Sequence, residues 1–164
     1  MYKRQNLTIK NVGINETRTA LLNAFQEMGA EIDIINKTGE FEPRADLKVK
    51  FSRLKGISLN TKLVPNLIDE LPAFFVAAAM SSGSTAVRNA EELRHKESDR
   101  LEAMGEVLRL LCVDFNLYQD GMDINGFDYN NAVSSYAGEK IESFGDHRIA
   151  TVSYTHLRAH ETNV

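Results

Sequence analysis

Two stretches of this chain repeat one plan. LTIKNVGINETRTALLNAFQEMGAEIDI (residues 7–34) and STAVRNAEELRHKESDRLEAMGEVLRLLCVDF (residues 84–115) each read as strand, loop, helix, strand. In both, the helix opens near a Ser or Thr and an Arg. The strands show alternation and strand-forming residues, and the helices show apolar residues three and four apart. A period of roughly 80 residues is longer than that of solenoid repeats. The chain is therefore expected to hold duplicated α/β units, not a linear array.

Element by element, NLTIKNV at 6–12 predicts a strand, and Asn15 or Thr17 can cap the next element. A helix comes next, with Leu21, Leu22, Phe25 and Met28 on one face and Gly29 as its stop. EIDIIN at 31–36 predicts a second strand, 37–45 a loop, and DLKVKFS at 46–52 a third strand. Pro72 suits the first turn of a helix, where its missing N–H costs nothing. Leu71, Phe74, Phe75 and Ala78 form the buried face of that helix, and Ser81-Ser82-Gly83 ends it. STAVRNA at 84–90 predicts a strand, and a helix begins near Glu97 and runs to about Leu111. Two short strands at 113–126 flank a Gln119-Asp120-Gly121 turn. Residues 127–144 are a polar connector, and GDHRIA opens another helix.

The length of 164 residues suits one domain with a real core. A hydrophobic fraction of 43% and a charged fraction of 26% are those of a globular protein. A net charge of −4 argues against a general nucleic-acid binder, yet leaves room for a local cationic cluster holding a small anion. No apolar run is long enough to span a membrane, and MYKRQNLT lacks the apolar core of a signal peptide. The single cysteine, Cys112, excludes an internal disulfide and suits a reducing cytoplasm. Its place in RLLCVDF reads as a small buried core residue.

Both ends look foreign. VSYTHLRAHET at 152–162 resembles one reading frame of a sequencing transposon adapter, and MYKRQ at 1–5 resembles the opposite strand of it. On this reading, residues 1–5 and 152–164 are non-native, Thr151 is a junction codon, and 6–150 is an internal piece of a longer protein. The two tail histidines then need no metal.

Three places carry charge in patterns that suggest chemistry. In RHKESDR, Lys96 and Arg100 stand four apart at the mouth of the expected helix. Like charges so spaced on a solvated helix are destabilising by a few tenths of a kcal/mol, and cations oppose the dipole at that end. Glu97 and Asp99 offset this, so an ordinary mixed-charge helix start remains one reading. The other is an anion site made of two cations, a helix N-terminus and its free amides. Glu97 lies between the cations, and a dianion that cancels their field would ready it for proton transfer. In FGDHRIA, Gly145 permits a tight turn, Asp146 can cap a helix, and His147 and Arg148 fall in its first turn. A capped surface helix accounts for the same residues. In LIDELP, Asp69 and Glu70 precede a Pro-initiated helix. They are either dipole-complementing acids or a carboxylate held ionised as a general base. No Gly-rich phosphate loop, zinc spacing or nucleophile elbow is present.

EELRHKESDRLEAM, GDHRIA, LIDELPAFFVAAA and NVGINETRTALL, in their relative spacing, together resemble the EPSP synthase family of 3-phosphoshikimate 1-carboxyvinyltransferases. The resemblance covers nearly all of 6–150. LIDE and the Asn-x-Thr-Arg-Thr stretch look like its bacterial branch that includes glyphosate-tolerant members. It implies an α/β (α+β) fold of repeated βαβαββ units, an inside-out α/β barrel, incomplete here. Residues 6–150 would supply about two of the three units of the C-terminal domain. The N-terminal domain and a further lysine that the family uses at phosphoenolpyruvate would lie elsewhere. The implied reaction moves the enolpyruvyl group of phosphoenolpyruvate to the 5-hydroxyl of shikimate 3-phosphate and releases phosphate. By motif, Asp69 would be the base on the hydroxyl, and Glu97 the proton donor and later acceptor at the methylene carbon. Lys96, Arg100 and Arg148 would clamp phosphate and carboxylate, with His147 beside them and Asp69 also in contact with substrate. The resemblance implies no metal and no cofactor, no nucleic-acid or membrane partner, and a cytoplasmic, monomeric full-length enzyme. His95 stands where the family often has Val, Cys112 where Gly is common, and Thr151 where Met is usual.

Two rivals share features of this reading. The sister transferase acting on UDP-N-acetylglucosamine has the same fold, but KESDR with GDHRIA at this spacing is not expected of it. A non-catalytic anion-binding module would keep the fold without the intact motifs. Expressed alone, the chain is expected to be inactive and poorly soluble, because a partial domain leaves apolar faces uncovered.

Overall fold

A computed structural model of the chain describes residues 6–126 and 145–151. The expected connector at 127–144 and the two ends, with His156 and His160, lie outside the described residues. The chain divides into two compact units, Met1–Leu54 and Lys55–Val164.

In the first unit, β1 (Asn6–Gly13) leads through a 3-10 turn (Glu16–Arg18) to α1 (Ala20–Glu27), β2 (Glu31–Thr38) and β3 (Arg44–Lys50). β3 is central and pairs antiparallel with both β1 and β2. The Asn15 side chain accepts from the Thr17 N–H at 3.1 Å, so Asn15 is the cap. The helix face differs from expectation. Ala20, Ala24 and Met28 are buried, while Leu21, Leu22 and Phe25 are half-buried. Residues four apart form one stripe, and small side chains let the helix lie close to its neighbour. Gly29, at φ +92°, ends α1 as expected. Its N–H donates to Gln26 O and that of Ala30 to Phe25 O, each at 2.9 Å, the paired bonds of a Schellman stop. The expected loop 37–45 is shorter because β2 runs on to Thr38 and β3 starts at Arg44, ending at Lys50 rather than at residue 52. Both strand pairs slip register, near Asn11 and Asn36, and both residues are left-handed. Asp46 secures the two irregularities at once: one carboxylate oxygen accepts from Asn11 N–H and the other from the Asn36 amide, both at 2.8 Å.

In the second unit, a segment at 55–58 bridges in parallel to Ser82 and Ala86. A 3-10 turn (Val64–Asn66), α2 (Leu71–Ala79), β4 (Gly83–Val87), a 3-10 helix (Glu91–His95), α3 (Arg100–Leu110), β5 (Asp114–Tyr118) and β6 (Gly121–Gly126) come after it. β6 is central and antiparallel to β4 and β5. The order strand–helix–strand–strand, with the last strand in the middle of the sheet, thus occurs in both units. α2 precedes this order in the second unit, and the 55–58 segment before it makes two isolated bridges to Ser82 and Ala86 rather than a strand. The duplication read from the sequence is present as mixed α/β structure.

Pro72 lies in the first turn of α2, and Leu71, Phe74, Phe75 and Ala78 are all buried. The helix is buried on nearly every side, since Pro72, Val76 and Ala79 are covered too. It packs on α3 and β6, and Leu101, Met104, Leu108, Met122 and Ile124 of those two elements are buried. Gln119 and Asp120 form the expected tight link between β5 and β6. Gly121 is required there because a Cβ would run into the Val87 and Arg88 backbone. β4 stops at Val87, short of residue 90, because Asn89 turns left-handed at φ +62°.

Two expectations on the third helix fail. It begins at Arg100 rather than near Glu97, because Lys96 is extended and Asp99 supplies the cap, accepting from Glu102 N–H at 3.0 Å. Cys112 is exposed, not buried. It occupies the left-handed stop after α3 at φ +54°, with Cys112 N–H to Arg109 O at 3.0 Å and Val113 N–H to Leu108 O at 2.9 Å. That is the same Schellman stop that Gly29 makes after α1. The side chain that closes the core there is Val113, one residue on. Among the described residues, no helix is long and apolar enough to cross a membrane.

Candidate anion-binding site

Three segments of the second unit meet at one cluster. Asp69 stands in the turn ahead of α2, where Leu71 N–H already bonds Leu67 O and Pro72 directs the chain into the helix. Lys96 and Glu97 lie in the extended link before α3, and Arg100 is the first residue of that helix. Asp146, His147 and Arg148 sit where a left-handed Gly145, at φ +76°, turns the chain into helical residues 147–151. Asp146 caps that turn as expected: its Oδ1 accepts from Arg148 N–H at 2.8 Å.

Arg100 is the hub. Its side chain is 1% exposed, and each nitrogen donates to a different carboxylate. Nε reaches Asp146 Oδ2 at 2.7 Å, Nη1 reaches Asp69 Oδ1 at 3.1 Å and Nη2 reaches Glu97 Oε2 at 2.5 Å. The planar guanidinium fork fixes three acids in one frame, which a lysine could not do. Burial works to lower the pKa of Arg100, but the hydrogen bond and charge of Asp146, with Glu97 and Asp69, outweigh it and raise it. Burial likewise works to raise Asp146, and the Arg100 hydrogen bond and charge, with the Arg148 and Ile149 N–H groups, bring it below the usual carboxylate range. The Ser98 hydroxyl also donates to Asp146 Oδ2, at 3.3 Å.

Asp69 is ringed by cations. Besides Arg100, Arg148 donates from Nη1 to the Asp69 carbonyl at 3.0 Å and brings Nη2 within 3.5 Å of Asp69 Oδ2. Lys96 Nζ is 4.0 Å from Asp69 Oδ1 and also pairs with Glu92. Of the six residues singled out from sequence, Asp69, Lys96, Glu97, Arg100 and Arg148 are drawn into one network, and His147 is exposed beside it in the first turn of the last helix. Their division of labour is finer than the sequence suggests. The side chains of Lys96 and Arg148 are 24% and 35% exposed and can reach an anion, whereas Arg100 is buried and committed to carboxylates. Lys96 and Arg100 are not neighbours on one helix face, so the like-charge penalty considered for that face does not arise.

Sequence reasoning misses three partners. Glu92 stands four before Lys96, a spacing that could have signalled the pair. Asp146 reads from sequence as a cap only, and its burial against Arg100 has no local signal. Arg94 bonds Asp99 five residues away, which is no helical spacing. Chemically, the cluster offers two partly exposed cations, Lys96 and Arg148, for a phosphate or carboxylate. It also offers two carboxylates, Asp69 and Glu97, joined through one guanidinium and able to exchange protons with a bound molecule.

A family model described as EPSP synthase (3-phosphoshikimate 1-carboxyvinyltransferase) matches residues 1–154. The 3-phosphoshikimate 1-carboxyvinyltransferase of Pelobacter propionicus is 46% identical over 145 residues, covering 88% of this chain and 32% of that protein. That of Legionella pneumophila strain Lens is 46% identical over 147 residues, again covering 88% of this chain and 32% of its own length. A solved EPSP synthase from Acinetobacter baumannii matches with a TM-score of 0.85 at 39% identity, over 93% of this chain and 35% of that one. The chain therefore spans about a third of the length of these relatives.

Proposed function

The chain belongs to the EPSP synthase family, and we propose that it forms part of an enzyme that transfers the enolpyruvyl group of phosphoenolpyruvate to the 5-hydroxyl of shikimate 3-phosphate. Residues 6–150 would contribute part of its C-terminal domain, and the remaining substrate contacts would come from the rest of the enzyme. We place the enzyme in the cytoplasm, which the single thiol suits.

The observation that carries this reading is the convergence of Lys96, Arg100 and Arg148 on Asp69, with Glu97 held on the same guanidinium. Addition needs a proton removed from the attacking hydroxyl as its oxygen bonds to C2 of phosphoenolpyruvate, and a proton delivered to C3. Asp69 takes the first and Glu97 supplies the second. The resulting tetrahedral ketal then loses phosphate, with Glu97 recovering a proton from the new methyl group. Lys96 and Arg148 hold the anionic groups, and Arg100 keeps the two carboxylates in register. Preorganised charge of this kind is usually the largest catalytic term.

The test is a chimera in which residues 6–150 replace the matching segment of the Pelobacter propionicus relative. It should release phosphate from phosphoenolpyruvate only when shikimate 3-phosphate is present. Turnover with a UDP-sugar instead would favour the sister reaction.

A further inference from the structure

We infer that Arg94 is a positioning residue that sets the path of residues 95–98 and so places Lys96 and Glu97, an assignment whose catalytic consequence rests on the function proposed above.

Arg94 precedes the cluster and touches none of its ion pairs, yet all three guanidinium nitrogens are used. Nε donates to Gln119 O and Nη2 to Tyr118 O, both at 2.8 Å, and Nη1 donates to Asp99 Oδ2 at 2.7 Å. Its side chain is only 16% exposed. The two carbonyls belong to the β5–β6 turn, which is itself anchored: Asp120 accepts from Asn89 N–H at 3.0 Å and from Ala90 N–H at 2.7 Å. The other oxygen of Asp99 caps α3. Arg94 therefore ties a rigid hairpin turn to the first turn of the helix that begins with Arg100.

The tie also closes a loop. Arg94 and Asp99 are the two ends of a five-residue step, and Lys96 and Glu97 lie between them. The link has no regular secondary structure to hold it, since Lys96 is extended between a 3-10 helix and α3. The Arg94–Asp99 bridge fixes where the link starts and ends. A lysine at 94 would keep the charge but could not bond two carbonyls and a carboxylate together in one plane.

Small displacements of catalytic groups are costly, about a hundredfold in rate for about 1 Å. In the chimera, R94K is expected to lower kcat by about tenfold or more, with a smaller change in KM. D99N should have a similar effect, and the double variant should be little worse than either alone, because both break one tie. R109K, on an exposed face of α3, should leave kcat unchanged. Retention of kcat by R94K, or losses from R94K and D99N that multiply, would overturn the assignment. A second measurement separates it from the functional reading. In the 164-residue chain itself, R94K should speed amide hydrogen exchange at Glu102 and Ala103, whose N–H groups bond Asp99 at 3.0 and 2.9 Å, by about tenfold, with β1–β3 unaffected. If the unsubstituted chimera shows no turnover but this exchange effect is seen, the functional reading fails and the positioning role stands. If exchange at Glu102 and Ala103 is unchanged, the positioning role fails whatever the chimera does.

Discussion

Arg100 Nε donates to Asp146 Oδ2 at 2.7 Å across 46 positions of sequence, and both side chains are almost wholly shielded from solvent. This buried pair joins the α3 helix mouth to the Gly145 turn, and through Asp69 it reaches the turn before α2. The candidate site has its shape because one guanidinium holds acids from separate segments.

The pair makes stability depend on pH. Asp146 is depressed in the folded chain, so its contribution is fully present above the unfolded carboxylate value of about 3.9 and is lost as pH falls through the lower folded value. Arg100 is raised above its already high value and changes nothing in this range. D146A should cost about 3–5 kcal/mol at neutral pH, as expected when one partner of a buried pair is removed. Urea unfolding of the 164-residue chain checks this: the gap between parent and variant should be widest above about pH 5 and shrink towards about pH 3.

Cys112 should be replaceable with profit. Its backbone is left-handed, which costs a residue with a Cβ about 1 kcal/mol that glycine does not incur. C112G should raise urea-unfolding stability by about 0.5–1 kcal/mol, and C112V should lower it. Equal midpoints for all three would show that the stop after α3 is not strained.

Thr85 is fully buried in β4, and its hydroxyl is one of two buried side-chain atoms without a hydrogen bond among the described residues. A valine keeps the shape and removes the unsatisfied group. T85V should stabilise the chain by about 1 kcal/mol in the same unfolding measurement.

Arg148 holds Asp69 by two contacts, one to its carbonyl and one to its carboxylate. R148K keeps the charge and loses the fork. In the chimera it should raise KM for phosphoenolpyruvate by about tenfold or more, consistent with loss of roughly 1.4 kcal/mol of anion binding. A KM that does not move would remove Arg148 from the anion clamp.

How much is legible in the sequence depends on range. Asp69 can be placed because Pro72 announces the helix beginning just after it, and Gly29 and Gly145 mark turns that only glycine makes easily. The hairpin at Gln119 and Asp120 is evident from two alternating runs. The start of α3 is easily misread because Lys96 and Arg100 stand at helical spacing, whereas Asp99 caps the helix from outside it and Lys96 is extended. Cys112 misleads because the apolar run RLLC continues the helix pattern, and only the backbone reveals that position as a left-handed stop. The burial of Arg100 is invisible for a different reason. It depends on Asp146 arriving from far along the chain, and local spacing carries no information on such a meeting. Sequence shows which charges gather; the fold decides which of them face outward.

The most direct test of the whole account is phosphate release by the chimera, measured with D69N alongside the parent. Turnover should require both phosphoenolpyruvate and shikimate 3-phosphate, and D69N should lower kcat by about 10²–10⁴, the usual worth of a positioned general base. Turnover at the parent rate by D69N, or none from the parent chimera, would contradict it.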